Sequence, residues 1–206
     1  MTHITRREML ERLGAGLGTL MGSAAISTLP AAARARAQAA AAESFISLTP
    51  AEAETVRAVV SRLIPADENG PGALEARADR YIDRGLGGAL KASRAAYSTG
   101  LADLNARAQT LKGKSFAALT PADQDAVLTS VQQNAAPFFN LIRTHTIQGM
   151  FGDPFYGGNA NFIGWTLLGY PGARTTVSAD LQRMDRKPEP SNKSAYDYGM
   201  FSKGEV

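Results

Sequence analysis

The side chains best suited to acid–base chemistry lie close together along the chain, near residue 150. His145 is the only histidine besides His3, and it lies two residues after Arg143 and eight before Asp153. A histidine held by a carboxylate can act as a general base when its substrate or nucleophile lies within about 3 Å. The alternative is a histidine that is only packed or that caps a helix, and the sequence favours this second interpretation.

Other motifs for catalysis or cofactor binding are missing from the sequence. It contains no GxSxG elbow, P-loop or HExxH motif, and its glycines at 152, 157 and 158 do not form a GxGxxG fingerprint. The absence of cysteine excludes disulfides, thiolate-bound iron–sulfur clusters and CxxCH haem attachment. The acidic loop at 67–72 lacks EF-hand spacing. We therefore predict no catalytic, cofactor-binding or metal-binding residue in this chain, and no FAD or haem bound to it.

The stretch from Gly149 to Gly172 has an unusual composition. Its 24 residues contain seven of the chain's 20 glycines and six of its 15 aromatic residues. Glycine allows positive φ and close backbone approach, Asp153-Pro154 is typical of a turn, and large aromatic side chains provide amphipathic surface. The composition fits both a loop packed on its own aromatic residues and a recognition surface.

Five helices are predicted to position this stretch. Thr49-Pro50-Ala51-Glu52 is a capping box that begins the first helix, Pro65 ends that helix, and the fifth helix leads into the glycine-rich stretch. No long alternating strand pattern is present. The sequence predicts a mostly α, single-domain irregular bundle of about five helices, with a long glycine/aromatic-rich C-terminal loop region and an extended tail. The expected helices are the first, ending at 64, a second from 73 to about 85 and a third from 89 to about 111. A fourth carries Val127, Leu128 and Val131, a fifth carries Phe138, Leu141, Ile142 and Met150, and one further short helix is expected at 178–185.

The first 37 residues have the features of an export signal. Arg6 and Arg7 lie in a twin-arginine motif, and a weakly apolar run of 17 residues, 13–29, is followed by small residues before Gln38. A membrane-spanning helix needs about 20 strongly apolar residues. We predict a twin-arginine signal at 1–37, a helical domain at 38–185 and an extended or disordered arm at 186–206. An uncleaved anchor is the alternative to cleavage.

Removal of this signal would change the charge of the chain. The first 37 residues hold five arginines and two glutamates, so the 22 basic and 19 acidic residues of the whole chain become 17 of each sign. A neutral domain has no basic stripe for phosphates, which makes nucleic acid a poor partner.

Several motifs together resemble a known family. These are Arg143-Thr144-x-Thr146, Gly149, Phe151, Asp153-Pro154-x-Tyr156-Gly157-Gly158-Asn159, Gly164-Trp165 and Gly169-Tyr170-Pro171-Gly172, preceded by Leu48-Thr49-Pro50 and Leu63-Ile64-Pro65. They resemble the small subunit, called subunit 3 or gamma, of gluconate 2-dehydrogenase-type enzymes. The resemblance spans roughly 46–173 and is loose from about 70 to 118.

The resemblance implies a non-catalytic subunit of a periplasmic complex at the inner membrane. Its partners would be a large FAD-containing dehydrogenase of the glucose-methanol-choline oxidoreductase type and, commonly, a multihaem cytochrome c. The complex would oxidise gluconate or related sugars and pass electrons to the quinone pool, while the small subunit assists folding and export of the flavoprotein. The alternative function is a stand-alone periplasmic sugar-binding protein or hydrolase that uses the 149–172 loop, with His145 and Asp153 as polar groups.

The same loop is the predicted docking surface. If it faced solvent, its aromatic side chains would expose several hundred Å² of apolar surface, more than a soluble monomer usually carries. Trp165 and Tyr156 belong to residue types that dominate interface energetics, so they are expected to contribute most. The predicted interface residues are Phe151, Asp153, Phe155, Tyr156, Asn159, Trp165 and Tyr170.

Overall fold

The computed structural model of the chain describes residues 44–185 and 187–199. Six α-helices occur in this part: α1 Pro50–Leu63, α2 Ala78–Leu86, α3 Arg94–Lys112, α4 Pro121–Asn134, α5 Ala136–Phe151 and α6 Ile163–Leu168. Among the described residues there is no β-strand, and the only bridge joins Asp67 and Gly70. The predicted mostly α-helical bundle is therefore confirmed. The predicted signal, with Arg6 and Arg7, lies outside the described residues.

Two helices begin as the capping pattern predicts. The Thr49 hydroxyl accepts a hydrogen bond from the Glu52 amide, and the Glu52 carboxylate accepts one from the Thr49 amide at 2.9 Å. Thr120 caps α4 in the same way through the Asp123 amide at 3.3 Å. Each cap satisfies amides that the first helical turn leaves unpaired.

The helices differ from the prediction in four respects. The second helix begins at Ala78 rather than 73, because Arg77 adopts a left-handed conformation (φ 58°) that interrupts a helix. The third is split into a 3₁₀ turn, Lys91–Ser93, and α3. At 178–185 only the 3₁₀ turn Asp180–Gln182 forms, and α6 lies inside the stretch predicted to be a loop.

The crossing of α2 and α5 holds the end of α5 in place. A Cβ added at Gly149 would lie 2.8 Å from the Cα of Ala78, so only glycine permits this approach of the two helices. Near the beginning of α5, Gly100 of α3 leaves room for the Phe138 ring, which a Cβ there would approach to 2.2 Å. The α1 side chains of Val56, Val59 and Val60 complete the core and are fully buried.

Candidate functional site

The glycine/aromatic stretch is an ordered element that folds back on the end of α5. Two 3₁₀ turns, Pro154–Tyr156 and Ala160–Phe162, lead from α5 to α6. Helix α6 ends at Gly169, whose positive φ of 64° closes the helix. Of the two interpretations left open by composition, a loop packed on its own residues describes most of this stretch.

Asn159 is the centre of this element. Its backbone amide donates to the Gly149 carbonyl at 2.7 Å. Its side-chain Nδ2 donates to the Gly152 carbonyl at 2.8 Å, and its side-chain Oδ1 accepts from the Gly164 amide at 2.8 Å. The residue is fully buried and left-handed (φ 44°), a conformation that asparagine tolerates better than most residues. One side chain thus joins the end of α5 to the start of α6.

Two glycines allow these segments to touch. A Cβ at Gly158 would lie 2.0 Å from the Gly149 carbonyl oxygen, and a Cβ at Gly164 would lie 2.0 Å from the Met150 carbonyl oxygen. Both contacts are with backbone atoms, which cannot rotate away as a flexible side chain can. The high glycine content therefore reflects backbone packing at these two positions.

Trp165 lies inside the domain, and its predicted position on an exposed surface is wrong. Its side chain packs against Phe162 and Tyr170, with ring centroids 5.5 and 5.0 Å away, and only 7% of the residue is exposed. The indole Nε1 donates to the Phe151 carbonyl at 2.9 Å. Asn159 is likewise buried, so neither of these two side chains faces outward.

Asp153 connects the loop to the C-terminal arm. Its Oδ1 accepts from the Phe155 amide at 2.9 Å, and its Oδ2 accepts from the Ala195 amide at 2.8 Å. The arm also pairs with the segment after α6, where the Ser191 amide donates to the Pro171 carbonyl at 2.8 Å. The carboxylate of Asp153 is thus engaged in holding the fold.

His145 pairs with Tyr97 and not with Asp153. The Tyr97 hydroxyl and His145 Nδ1 are 3.0 Å apart in the core, and His145 is buried. Burial lowers the pKa of His145 and raises that of Tyr97, so both groups are held neutral. The interpretation of His145 as a packed histidine is confirmed. His145 and Asp153, the two polar groups named for the alternative function, are both hydrogen-bonded within the fold.

The neutral state of His145 makes stability depend on pH. The pKa of His145 in the folded state lies below its value of about 6.5 in the unfolded state. The stability that the neutral imidazole contributes is therefore fully present above the unfolded pKa, and it is lost as the pH falls toward the folded pKa. As the pH is lowered from about 7.5 to about 5.5, we expect the urea midpoint of unfolding to decrease, and to decrease less in His145→Gln. Equal pH dependence of the two proteins would contradict this assignment.

The other predicted interface residues are at least partly accessible. Tyr156 is 56% exposed and Tyr170 is 47% exposed, whereas Phe151 and Phe155 are half-buried. A shallow groove of about 590 Å³ lies beside them, lined by Phe151, Asp153, Trp165, Leu168, Gly169, Tyr170 and Pro171. The exposed large hydrophobic side chains of the stretch are therefore Tyr156, Leu167, Leu168 and Tyr170.

Asp83 of α2 is an organising residue that the sequence analysis missed. Its carboxylate accepts from the amides of Ile46, Ser47 and Leu48 at 2.8, 2.8 and 2.9 Å. The sequence contains a pattern that indicates this role, because Asp79 and Asp83 lie one turn apart on the helix face that carries Ile82 and Leu86. An acid on an apolar face indicates a buried carboxylate with internal partners.

A family model described as gluconate 2-dehydrogenase subunit 3 matches residues 50–172, more than half of the chain. Curated proteins and solved structures give no significant match. Among the described residues, no helix is long and apolar enough to span a bilayer, and no group of three or more potential metal ligands is present.

Proposed function

The chain belongs to the gluconate 2-dehydrogenase subunit 3 family, and from this premise we propose that it is the non-catalytic small subunit of a periplasmic sugar or sugar-acid dehydrogenase. Its partner would be a large FAD-dependent subunit of the glucose-methanol-choline oxidoreductase type. A multihaem cytochrome c would be a third subunit, and the complex would be associated with the inner membrane.

The observation that carries this proposal is the family match over 50–172, which covers all six helices and the glycine/aromatic stretch. The hydrogen bonds of that stretch support a non-catalytic role. Asp153 and Asn159 bind backbone groups of this domain, and His145 binds Tyr97. The polar groups that chemistry would need are thus engaged in holding the fold.

Co-purification tests the proposal directly. The full chain, tagged at Val206, would be isolated from the periplasmic and membrane fractions of the cells that produce it. We expect a second, larger polypeptide with flavin absorbance, together with sugar or sugar-acid dehydrogenase activity. Isolation of the tagged chain without a flavoprotein would reject the proposed role.

Export of the flavoprotein would depend on the signal of this chain. In Arg6→Lys/Arg7→Lys, we expect both the chain and its dehydrogenase to remain in the cytoplasm, because the twin-arginine route requires the paired arginines. Fractionation followed by dehydrogenase assay measures this. Arg34→Lys/Arg36→Lys is the matched control, with the same changes in the same segment but outside the motif. Normal periplasmic activity in the first variant would show that the flavoprotein travels independently.

A further inference from the structure

The outward face of α2 carries unpaired positive charge. Arg77, at the helix N-cap, and Arg84 lie on one stripe and are exposed. The Arg80 side chain on the same stripe is only 21% exposed and stacks on the Phe45 ring. Within the described residues, neither Arg77 nor Arg84 forms a salt bridge. Arg77 also adopts a left-handed conformation that glycine adopts at lower cost, and its guanidinium has no partner in that part of the chain.

The acidic residues of α2 do not offset this charge at the surface. Asp79 and Asp83 are 3% and 2% exposed. Asp83 binds three backbone amides, and Asp79 lies 3.9 Å from the Arg80 side chain. Glu75, the nearest exposed carboxylate along the chain, accepts from the Gly72 amide at 3.1 Å. The helix therefore turns its two carboxylates inward, whereas Arg77 and Arg84, which form no salt bridge within the described residues, lie at the surface.

Polar and aromatic groups border these cations. The Tyr81 hydroxyl donates to Gln148 Oε1 at 3.1 Å, which joins the stripe to α5, a helix without acidic residues. Arg84 donates to the Phe155 carbonyl at 3.4 Å and lies against Gly157, next to the exposed ring of Tyr156. We call the surface formed by Arg77, Arg80, Tyr81, Arg84, Gln148 and Tyr156 the α2 face.

We propose that the α2 face docks onto a carboxylate-bearing surface of the dehydrogenase subunit, an inference that rests on the proposed function. Arginine forms paired hydrogen bonds to carboxylates, and arginine and tyrosine are enriched where proteins meet. Residues 38–206 carry equal numbers of basic and acidic residues, so overall charge would not bring the subunits together. A local cationic face provides that attraction and sets the orientation of docking.

An acidic protein surface fits the α2 face better than a membrane does. Binding to anionic lipids is typical of clusters of about four to eight basic residues, often with apolar side chains that insert into the bilayer. The α2 face has three arginines, and its aromatic members carry hydroxyl groups that favour hydrogen-bonded contacts. We therefore assign the surface to the partner subunit.

Charge reversal tests this assignment. The full chain would be titrated against the flavoprotein that co-purifies with it, at about 50 mM and about 500 mM NaCl. We expect Arg77→Glu/Arg84→Glu to weaken binding at least about tenfold at low salt, and the wild-type advantage to shrink at high salt. Lys91→Glu/Lys114→Glu replaces two exposed lysines outside α2 that form no salt bridge within the described residues. It makes the same change in net charge and should alter affinity less than about twofold.

The single variant Arg77→Glu controls for a loss of binding that is caused by unfolding. The Arg77 side chain forms no hydrogen bond or salt bridge in the described part of the chain, so thermal midpoint and helical content should match wild type while affinity falls. Wild-type affinity of both α2 variants for the flavoprotein would overturn the assignment. It would also be overturned if the variants lost binding to phosphatidylglycerol vesicles while their affinity for the flavoprotein was unchanged. Failure of the wild-type chain to capture any flavoprotein would instead reject the proposed function.

Discussion

Asn159→Asp is expected to destabilise the isolated domain by about 3 kcal/mol or more, since a buried polar group that loses its partner costs about 1–3 kcal/mol and a charged group costs more. The substitution keeps the shape of the side chain but replaces the donor that faces the Gly152 carbonyl with an acceptor. Urea unfolding of the two proteins, followed by far-UV circular dichroism, would measure the difference. The loss should be smaller at low pH, where the introduced carboxyl is protonated and can donate.

Asn192→Asp provides the matched control. Asn192 is also left-handed, with φ 47°, but it is exposed. The same chemical change there should alter stability by less than about 0.5 kcal/mol. If both variants were equally stable, Asn159 would not be the centre of the glycine/aromatic stretch.

Gly164→Ala is expected to cost about 3 kcal/mol, at the upper end of the usual range for overpacking. The added methyl group would meet the Met150 carbonyl oxygen at 2.0 Å, and relief requires α6 to move away from the end of α5. Such a movement would also stretch the hydrogen bond from the Gly164 amide to Asn159. Urea midpoints measure the loss.

Gly88→Ala is the control for the general effect of replacing glycine. A Cβ at Gly88 meets its nearest neighbour, the Arg84 carbonyl oxygen, at 3.7 Å, an ordinary contact distance. Its stability should stay within about 0.5 kcal/mol of wild type. A Gly164→Ala protein of wild-type stability would show that α6 is free to shift without cost.

The helices were predictable from the sequence because their signals are local. Thr49, Glu52 and Pro65 lie next to the boundaries that they determine, and the apolar stripe of α1 repeats at helical spacing. The α2 boundary was missed because Arg77 adopts a left-handed conformation that its residue type does not indicate.

The inner side of the glycine/aromatic stretch was not predictable in the same way. An estimate of exposed aromatic area assumes that the loop faces solvent. Trp165 is covered by Phe162 and Tyr170 from the same stretch, and it bonds a carbonyl at the end of α5. These contacts depend on the reversal of the chain around Asn159, which no short sequence pattern specifies.

The three amides held by Asp83 connect the beginning of the described chain to the core. One carboxylate binds residues 46–48 across 35 to 37 positions of sequence, so these hydrogen bonds cannot form before α2 has docked. A contact shared in this way couples local ordering to folding of a larger cooperative unit. Residues 46–48 would thus become ordered only as the domain folds, so protection of their amides from hydrogen exchange would report whether the domain has folded.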